Sequence, residues 1–186
     1  MKKIILSTLC AGVLAVPVMA DVFDGNKEGF IVGIGAGYSL TDTHIGVSSK
    51  NNYFDENEAN SGWATNFKIG YGFNNQFSVY YENDVSWFKL GGVNDRFITG
   101  ISALAMDYYI DENSPWYVTG SVGRATFSNF TDNDTLAKGI GYSVGVGYEF
   151  MPNITVESKF LSTNFDEDNI DFDTKGFNIT LNYTWY

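Results

Sequence analysis

The sequence predicts an all-β fold, an eight-stranded antiparallel up-and-down transmembrane β-barrel, and three observations carry that prediction. Aromatic and aliphatic residues recur at every second position over long stretches. The positions between them are mostly Gly, Ser, Thr and Asn. Short connections alternate along the chain with longer polar ones.

The first alternating stretch, FIVGIGAGYSL at 30–40, places Phe30, Val32, Ile34, Ala36, Tyr38 and Leu40 on one side and Gly33, Gly35, Gly37 and Ser39 on the other. Strict period two is a strand with two unlike faces. A phosphate-cradling glycine loop would turn from strand into helix. Here the alternation runs on past Gly37, so the glycines are a strand face turned toward a crowded interior. Residues 62–73 repeat the pattern with Trp63, Thr65, Phe67, Ile69, Tyr71 and Phe73. Residues 77–88 carry Phe77, Val79, Tyr81, Val85 and Trp87 on one side. In 96–110, Leu104, Met106, Tyr108 and Ile110 stand opposite Asp107; in 116–127, Trp116, Val118 and Val122 share a face. Residues 139–150 restore clean alternation, Ile140 to Phe150 against Gly139, Gly141, Ser143, Gly145 and Gly147. Ile154, Val156 and Phe160 mark 154–165, and Phe177 to Trp185 mark the last strand. A soluble sandwich would turn charges outward; here the charge-poor small-residue face suits an interior and the aromatic face suits lipid. Each segment has the length that crosses a bilayer when tilted.

The connections Asn74–Gln76, Asp111–Pro115 and Met151–Asn153 are short, whereas Thr41–Ser61, Lys89–Asp95, Ser128–Ala137 and Asp166–Thr174 are expected as long outer loops. Short turns on one side and long loops on the other suit an outer-membrane barrel with both ends in the periplasm. Closure satisfies every backbone group in lipid and leaves no edge.

The N-terminus reads as a secretory signal over 1–20. Lys2 and Lys3 precede an apolar run, Pro17 breaks it, and Val18-Met19-Ala20 is a small-residue cleavage site. A short periplasmic segment, 21–29, then leads into the barrel domain, 30–186. Cys10 is the only cysteine and falls inside the signal. Leu9 stands where a lipoprotein pattern wants a small residue. The mature chain would therefore hold no disulfide and no thiolate metal site. Losing Lys2 and Lys3 leaves nine basic residues against 22 acids, a charge of −13. Such a chain does not seek nucleic acid.

With these elements in place, the chain resembles the small eight-stranded outer-membrane barrels: the OmpA-type transmembrane domain, the OmpX-like proteins and the opacity-protein group, described together as porin-family outer-membrane proteins. NITLNYTWY, 178–186, looks like the aromatic-ended final strand that the barrel-assembly machinery reads in this superfamily. It departs in one respect: Trp185 is in phase with the apolar face and Tyr186 lies one residue beyond. The resemblance implies a monomer embedded among outer-membrane lipid and lipopolysaccharide in a Gram-negative-type bacterium. No peptidoglycan-binding domain is expected after Tyr186.

Parity also sets the interior. If Phe73 and Phe77 pair across their turn, facing residue numbers sum to 150, which sets Lys68 across from Glu82 and Asn66 across from Asp84. A one-residue slip would turn an apolar face inward. Lys68 and Glu82 are expected to form an ion pair. Asp107, Glu149, Glu157 and Lys159 complete the inward charges, and Arg124 falls on the lipid face, to snorkel there or be turned inward by a bulge. Such a set serves as a structural plug or lines a narrow polar path.

No cofactor and no catalytic set is expected: His44 is the single histidine, in the first outer loop, without a second element. The stretch DEDNIDFD, 166–173, lacks the glycine and terminal Glu of an EF-hand. Asp166, Asp168, Asp171 and Asp173 are at most weak cation ligands in a solvated loop. Tyr53, Phe54, Phe130, Ile170 and Phe172 are apolar residues within the outer loops. The sequence thus points to a non-enzymatic structural or surface-interaction role through acidic extracellular loops, which would meet any extracellular ligand. The alternatives are a narrow porin-like channel and, third, a lipid-modifying barrel enzyme.

Overall fold

A computed structural model describes residues 26–49, 52–89, 96–129, 134–167 and 170–186, with side chains described outside 44–59, 134–136 and 166–172. Eight strands form one closed antiparallel barrel in chain order: β1 (Gly29–Ser49), β2 (Asn52–Gly72), β3 (Phe77–Lys89), β4 (Arg96–Tyr109), β5 (Trp116–Asn129), β6 (Asp134–Met151), β7 (Ile154–Glu167) and β8 (Ile170–Trp185). β1 closes the sheet on β8, from Val32↔Trp185 to Val47↔Ile170.

The β2–β3 register is the one the turn predicts: Lys68 faces Glu82 and Asn66 faces Asp84. The turn closes with the Phe73 N–H donating to the Phe77 carbonyl at 2.9 Å, while Asn74 Oδ1 accepts from the N–H groups of Gln76 and Phe77, both at 2.8 Å. The β6–β7 turn is tighter. Asn153 takes positive φ (70°), a conformation that asparagine tolerates better than most residues.

Pairing also fixes the slant of the wall. From Ile34 the pairs run through Phe67, Asn83, Ser102, Arg124, Ile140, Asn164 and Asp173, and return to β1 at His44, ten residues further on. A stagger of ten over eight strands corresponds to a tilt of about 40°.

Three expected loops are corrected. Most of Thr41–Ser61 is strand, with β1 and β2 paired out to Ser49↔Asn52. β7 and β8 likewise pair out to Glu167↔Ile170, and β6 begins at Asp134. These polar segments lack the apolar face of a half-buried strand, so hydrophobic period missed them. Main-chain pairing continues without an apolar face once a register has been set below it. Tyr53, Phe54, Ile170 and Phe172 stand on these extensions with side chains outside the described residues, and Phe130 lies outside the described residues altogether.

The outward face is apolar and ringed with aromatics. Toward the short turns, Trp116 and Tyr148 pack with ring centroids 4.6 Å apart and Tyr183 with Trp185 at 4.5 Å. Toward the other rim, Tyr38, Trp63 and Trp87 stand on consecutive strands in register. Arg124 is exposed on this face, and Ser102 and Ile140 are its neighbours in register. The pair below is Val122↔Tyr142, so Arg124 lies one step beyond the exposed Tyr142. The β5–β6 register shift comes only after Phe127 and leaves Arg124 outward.

The opening glycines line the interior under long side chains. The Tyr117 ring occupies the space a Cβ on Gly147 would need, the Lys159 stem passes over Gly145, and Gly33 abuts Lys68. We expect Gly147→Ala to lower refolded stability in urea by about 1–3 kcal/mol, as overpacking does. Gly120→Ala, where a Cβ meets only the Ser143 carbonyl at 3.7 Å, should leave the urea midpoint unchanged.

Candidate functional site

The lumen is filled in layers, and charge occupies the middle one. Lys68, Glu82, Asp84, Asp107, Glu149, Glu157 and Lys159 are all buried. Lys159 Nζ lies 2.6 Å from Glu82, 3.2 Å from Asp84 and 3.3 Å from Glu157. Lys68 Nζ pairs with Glu157, lies 3.8 Å from Asp107 and stands over the Tyr80 ring at 4.8 Å. Glu157 therefore joins the two lysines, and it also accepts the Tyr117 hydroxyl at 2.6 Å. Tyr80 donates to Asp107 at 2.6 Å.

Lys68 and Glu82 face each other in register but do not form the expected ion pair. Both side chains point at the axis of a narrow cylinder, and a lysine stem is long enough to cross it. Lys68 on β2 reaches Glu157 on β7, and Lys159 on β7 reaches Glu82 and Asp84 on β3. Each ammonium so gathers more than one carboxylate, which offsets its desolvation better than a single neighbour would.

Below this layer lies the mouth on the side of the short turns. The Lys27 N–H donates to Asn75 Oδ1 at 3.0 Å, and Lys27 Nζ stands 4.0 Å from the Tyr109 ring centroid. Tyr109 donates to Glu149 at 3.2 Å and lies 3.3 Å from the Tyr186 hydroxyl. This accounts for the aromatic doublet at the C-terminus: Trp185 is exposed on the outer face while Tyr186 closes the mouth from within.

Above the charges, Ile101, Ala103 and Leu161 form a small apolar layer. Next comes a cavity of about 10 Å³ lined by Thr41, Ser86, Thr99 and Thr163 among others, the room of a single water. A plug of Phe88, Phe127 and Phe165, with Phe97 against it, closes the outer end. Phe97 and Phe127 stack at 5.7 Å. The sequence reading did not find this plug. Its signal was present, since these four phenylalanines fall out of phase with the lipid-facing positions of their strands.

Among the described residues no group of three His, Cys, Asp or Glu is arranged to hold a metal. Asp173 Oδ2 lies 3.6 Å from Lys175 Nζ at the surface. Asp168 lies outside the described residues, as do the side chains of His44, Asp166 and Asp171.

We expect a double-mutant cycle on Lys159 and Glu82 to give a coupling of about 1 kcal/mol or more, with Lys159→Met alone costing about 3–5 kcal/mol. The Lys68/Glu82 cycle should couple more weakly; chemical denaturation of the refolded barrel reads both. Burial holds Lys27 down to about 8, against the pull of Glu149. From about 8 to the usual lysine value near 10.5 the unfolded chain then binds more protons than the folded one, so stability rises with pH across that window. Lys27→Met should lose this part of the rise when urea midpoints at pH 7.5 and 10.5 are compared with wild type.

No curated protein matches the chain in sequence. Its fold is that of Ail from Yersinia pestis, at TM-score 0.55 and 16% identity over 85% of this chain and 99% of that one. Ail in complex with the heparin analogue sucrose octasulfate aligns at 0.51 and 14%, over 84% and 99%. Neisserial surface protein A aligns at 0.54 and 14%, over 83% and 96%. OprG from Pseudomonas aeruginosa aligns at 0.54 and 14%, over 88% and 99%. Residues 96–186 match the family model described as outer membrane protein beta-barrel domain. That match covers β4–β8, and with the same eight-stranded closure over the whole chain the protein has the fold of the small eight-stranded outer-membrane β-barrels.

Proposed function

We propose that this protein is an occluded barrel whose work is done outside the membrane, by its outer strand extensions acting as a surface-interaction element. The occluded lumen carries the proposal. Three successive fillings, the Tyr109–Glu149–Tyr186 mouth, the lysine–carboxylate layer and the phenylalanine plug, occupy the lumen, and the cavity at Thr41, Ser86, Thr99 and Thr163 holds about 10 Å³. Eight strands make a cylinder that side chains just fill, and here they do so with oppositely charged groups that hold one another in place.

The β1–β2 hairpin supports the same reading. Its register runs to Ser49↔Asn52, whereas the β2–β3 pairs stop at Gly62↔Phe88. Among the described residues no strand pairs with that side of β2 beyond Gly62. A projecting, paired hairpin is a pre-ordered surface, so binding through it costs less ordering entropy than binding through a coil. The extensions are acidic, with Asp55, Glu56 and Glu58 on β2 and Asp166, Glu167, Asp171 and Asp173 on β7 and β8. Ail has been seen with a polyanion; the acidic extensions of this chain suit a basic protein surface instead. Residues 1–20 act as the signal that exports it, so the mature chain begins at Asp21.

Planar-bilayer recording on the refolded protein should show no steady, large current. A sustained ion-selective current would overturn the occluded reading and establish a channel. Deleting 45–58 should abolish binding of the protein to host-cell or matrix surfaces while leaving the heat-modifiable gel shift of the folded barrel intact. Retained binding would exclude the hairpin.

A further inference from the structure

We propose that residues 26–28, ahead of β1, and Tyr186, after β8, form a latch over the mouth on the side of the short turns, and that this latch opens as a unit, hinged at Gly29, while the wall stays closed. The open latch is the way by which water and small solutes reach the lysine–carboxylate layer.

The shape of the segment is built into four residues, NKEG at 26–29. Asn26 Oδ1 accepts from the Glu28 N–H at 3.0 Å, a local turn that leaves Asn26 and Glu28 exposed and buries Lys27 between them. Gly29 follows at φ 132°, a conformation that strains any residue with a side chain. Gly72 faces Gly29 in the β1–β2 register, and a Cβ on Gly72 would strike the Lys27 carbonyl. One glycine therefore bends the chain back over the mouth, and the other gives it a seat.

From that seat Lys27 reaches three separate elements. Its N–H donates to Asn75 Oδ1 in the β2–β3 turn at 3.0 Å, its Nζ stands 4.0 Å from the centroid of the Tyr109 ring on β4, and Glu149 on β6 pulls on its charge. Tyr186 comes to the same tyrosine, with the two hydroxyls 3.3 Å apart. Tyr109 is buried and packs on Tyr117 with ring centroids 4.8 Å apart. It is the fixed catch on which both parts of the latch close.

The latch is separable from the wall. Residues 26–28 and Tyr186 stand outside the β-ladder. The β1–β8 pairs begin only at Val32↔Trp185, whereas β1 runs along β2 from Gly29. In lipid the ladder cannot part without stranding main-chain groups. The latch strands none, and its lysine regains water on leaving. Segments that lie outside the main hydrogen-bonded framework open at lower free energy than the fold as a whole. Beyond the mouth stand the charge layer and the phenylalanine plug, so opening wets one end of the lumen and leaves no through path.

Thiol labelling tests this. Thr155 is buried, faces the lumen and pairs with Glu149 in the β6–β7 register. Refolded C10S/T155C is treated with methyl methanethiosulfonate at several urea concentrations below the unfolding transition, and modification is followed by mass spectrometry. Labelling should outrun global unfolding and depend little on urea, because opening a latch exposes little surface. C10S/S78C, whose reporter is buried on β3 opposite Gly72, should behave alike. Adding N75A removes the acceptor of the Lys27 N–H and should speed labelling about fivefold. G29A should speed it too, through φ alone, since a Cβ there meets nothing within 4 Å. Y186F, which takes the hydroxyl from Tyr109, should act in the same direction. None of the three should change labelling of C10S/T163C, whose reporter lies at the small cavity in the outer half. Labelling of both inner reporters at the rate and urea slope of global unfolding would overturn the proposal. So would an equal acceleration of C10S/T163C, which would mean a loosened barrel, or no acceleration by any of the three substitutions.

Discussion

In lipid no water takes up a free backbone N–H or C=O, so every main-chain group crossing the membrane must be paired within the wall. Closing eight strands on themselves meets that demand, and the rest of the molecule follows from the closure. The ten-residue stagger sets the tilt, the tilt and strand number set the bore, and the bore decides which side chains the inner face can hold. Glycine at 33, 145 and 147 is the direct result: each lies where a neighbouring lysine or tyrosine needs the space.

The narrow bore also governs the electrostatics. Lysine and carboxylate side chains that share a cylinder this thin find partners across it more readily than along it. Glu157, taken by Lys68, Lys159 and Tyr117 at once, is the point where three walls are tied together. A network of this kind is costly to break at one member. It works with the phenylalanines nearer the rim to make the lumen a core. The exposed side chains and the outer strand ends are left to meet everything else.

The outer surface is correspondingly uneven. β1 and β2 carry the projecting hairpin, and acids are concentrated on it and on the β7–β8 ends. β3 and β4 end lower, at Lys89 and Arg96, with cations on their outward face. One rim therefore carries an acidic projection on β1 and β2 and exposed cations at Lys89 and Arg96. The two lie on different sectors of the same sheet.

Period-two alternation was enough to identify the eight strands and to assign nearly every described side chain to lipid or lumen, because in a two-faced strand the environment depends on parity alone. The three-residue turn was enough to set the β2–β3 register, since a one-residue slip would have buried an apolar face in the wrong place. Which lysine meets which carboxylate was not legible. Parity gives direction but not reach, and Lys68 passes over its in-register neighbour Glu82 to Glu157. Nor were the strand extensions legible, since polar segments beyond the membrane carry no alternation and are held by pairing inherited from below. The phenylalanine plug lay between the two: Phe88, Phe127 and Phe165 were in the right phase to be read as inward, but only closure brings residues from β3, β5 and β7 into one cluster. The sequence by itself determined the class of fold and the face of each residue, both local properties of an alternating chain. Tertiary structure decided the partners, because they are set by distances across a bore whose width depends on all eight strands together.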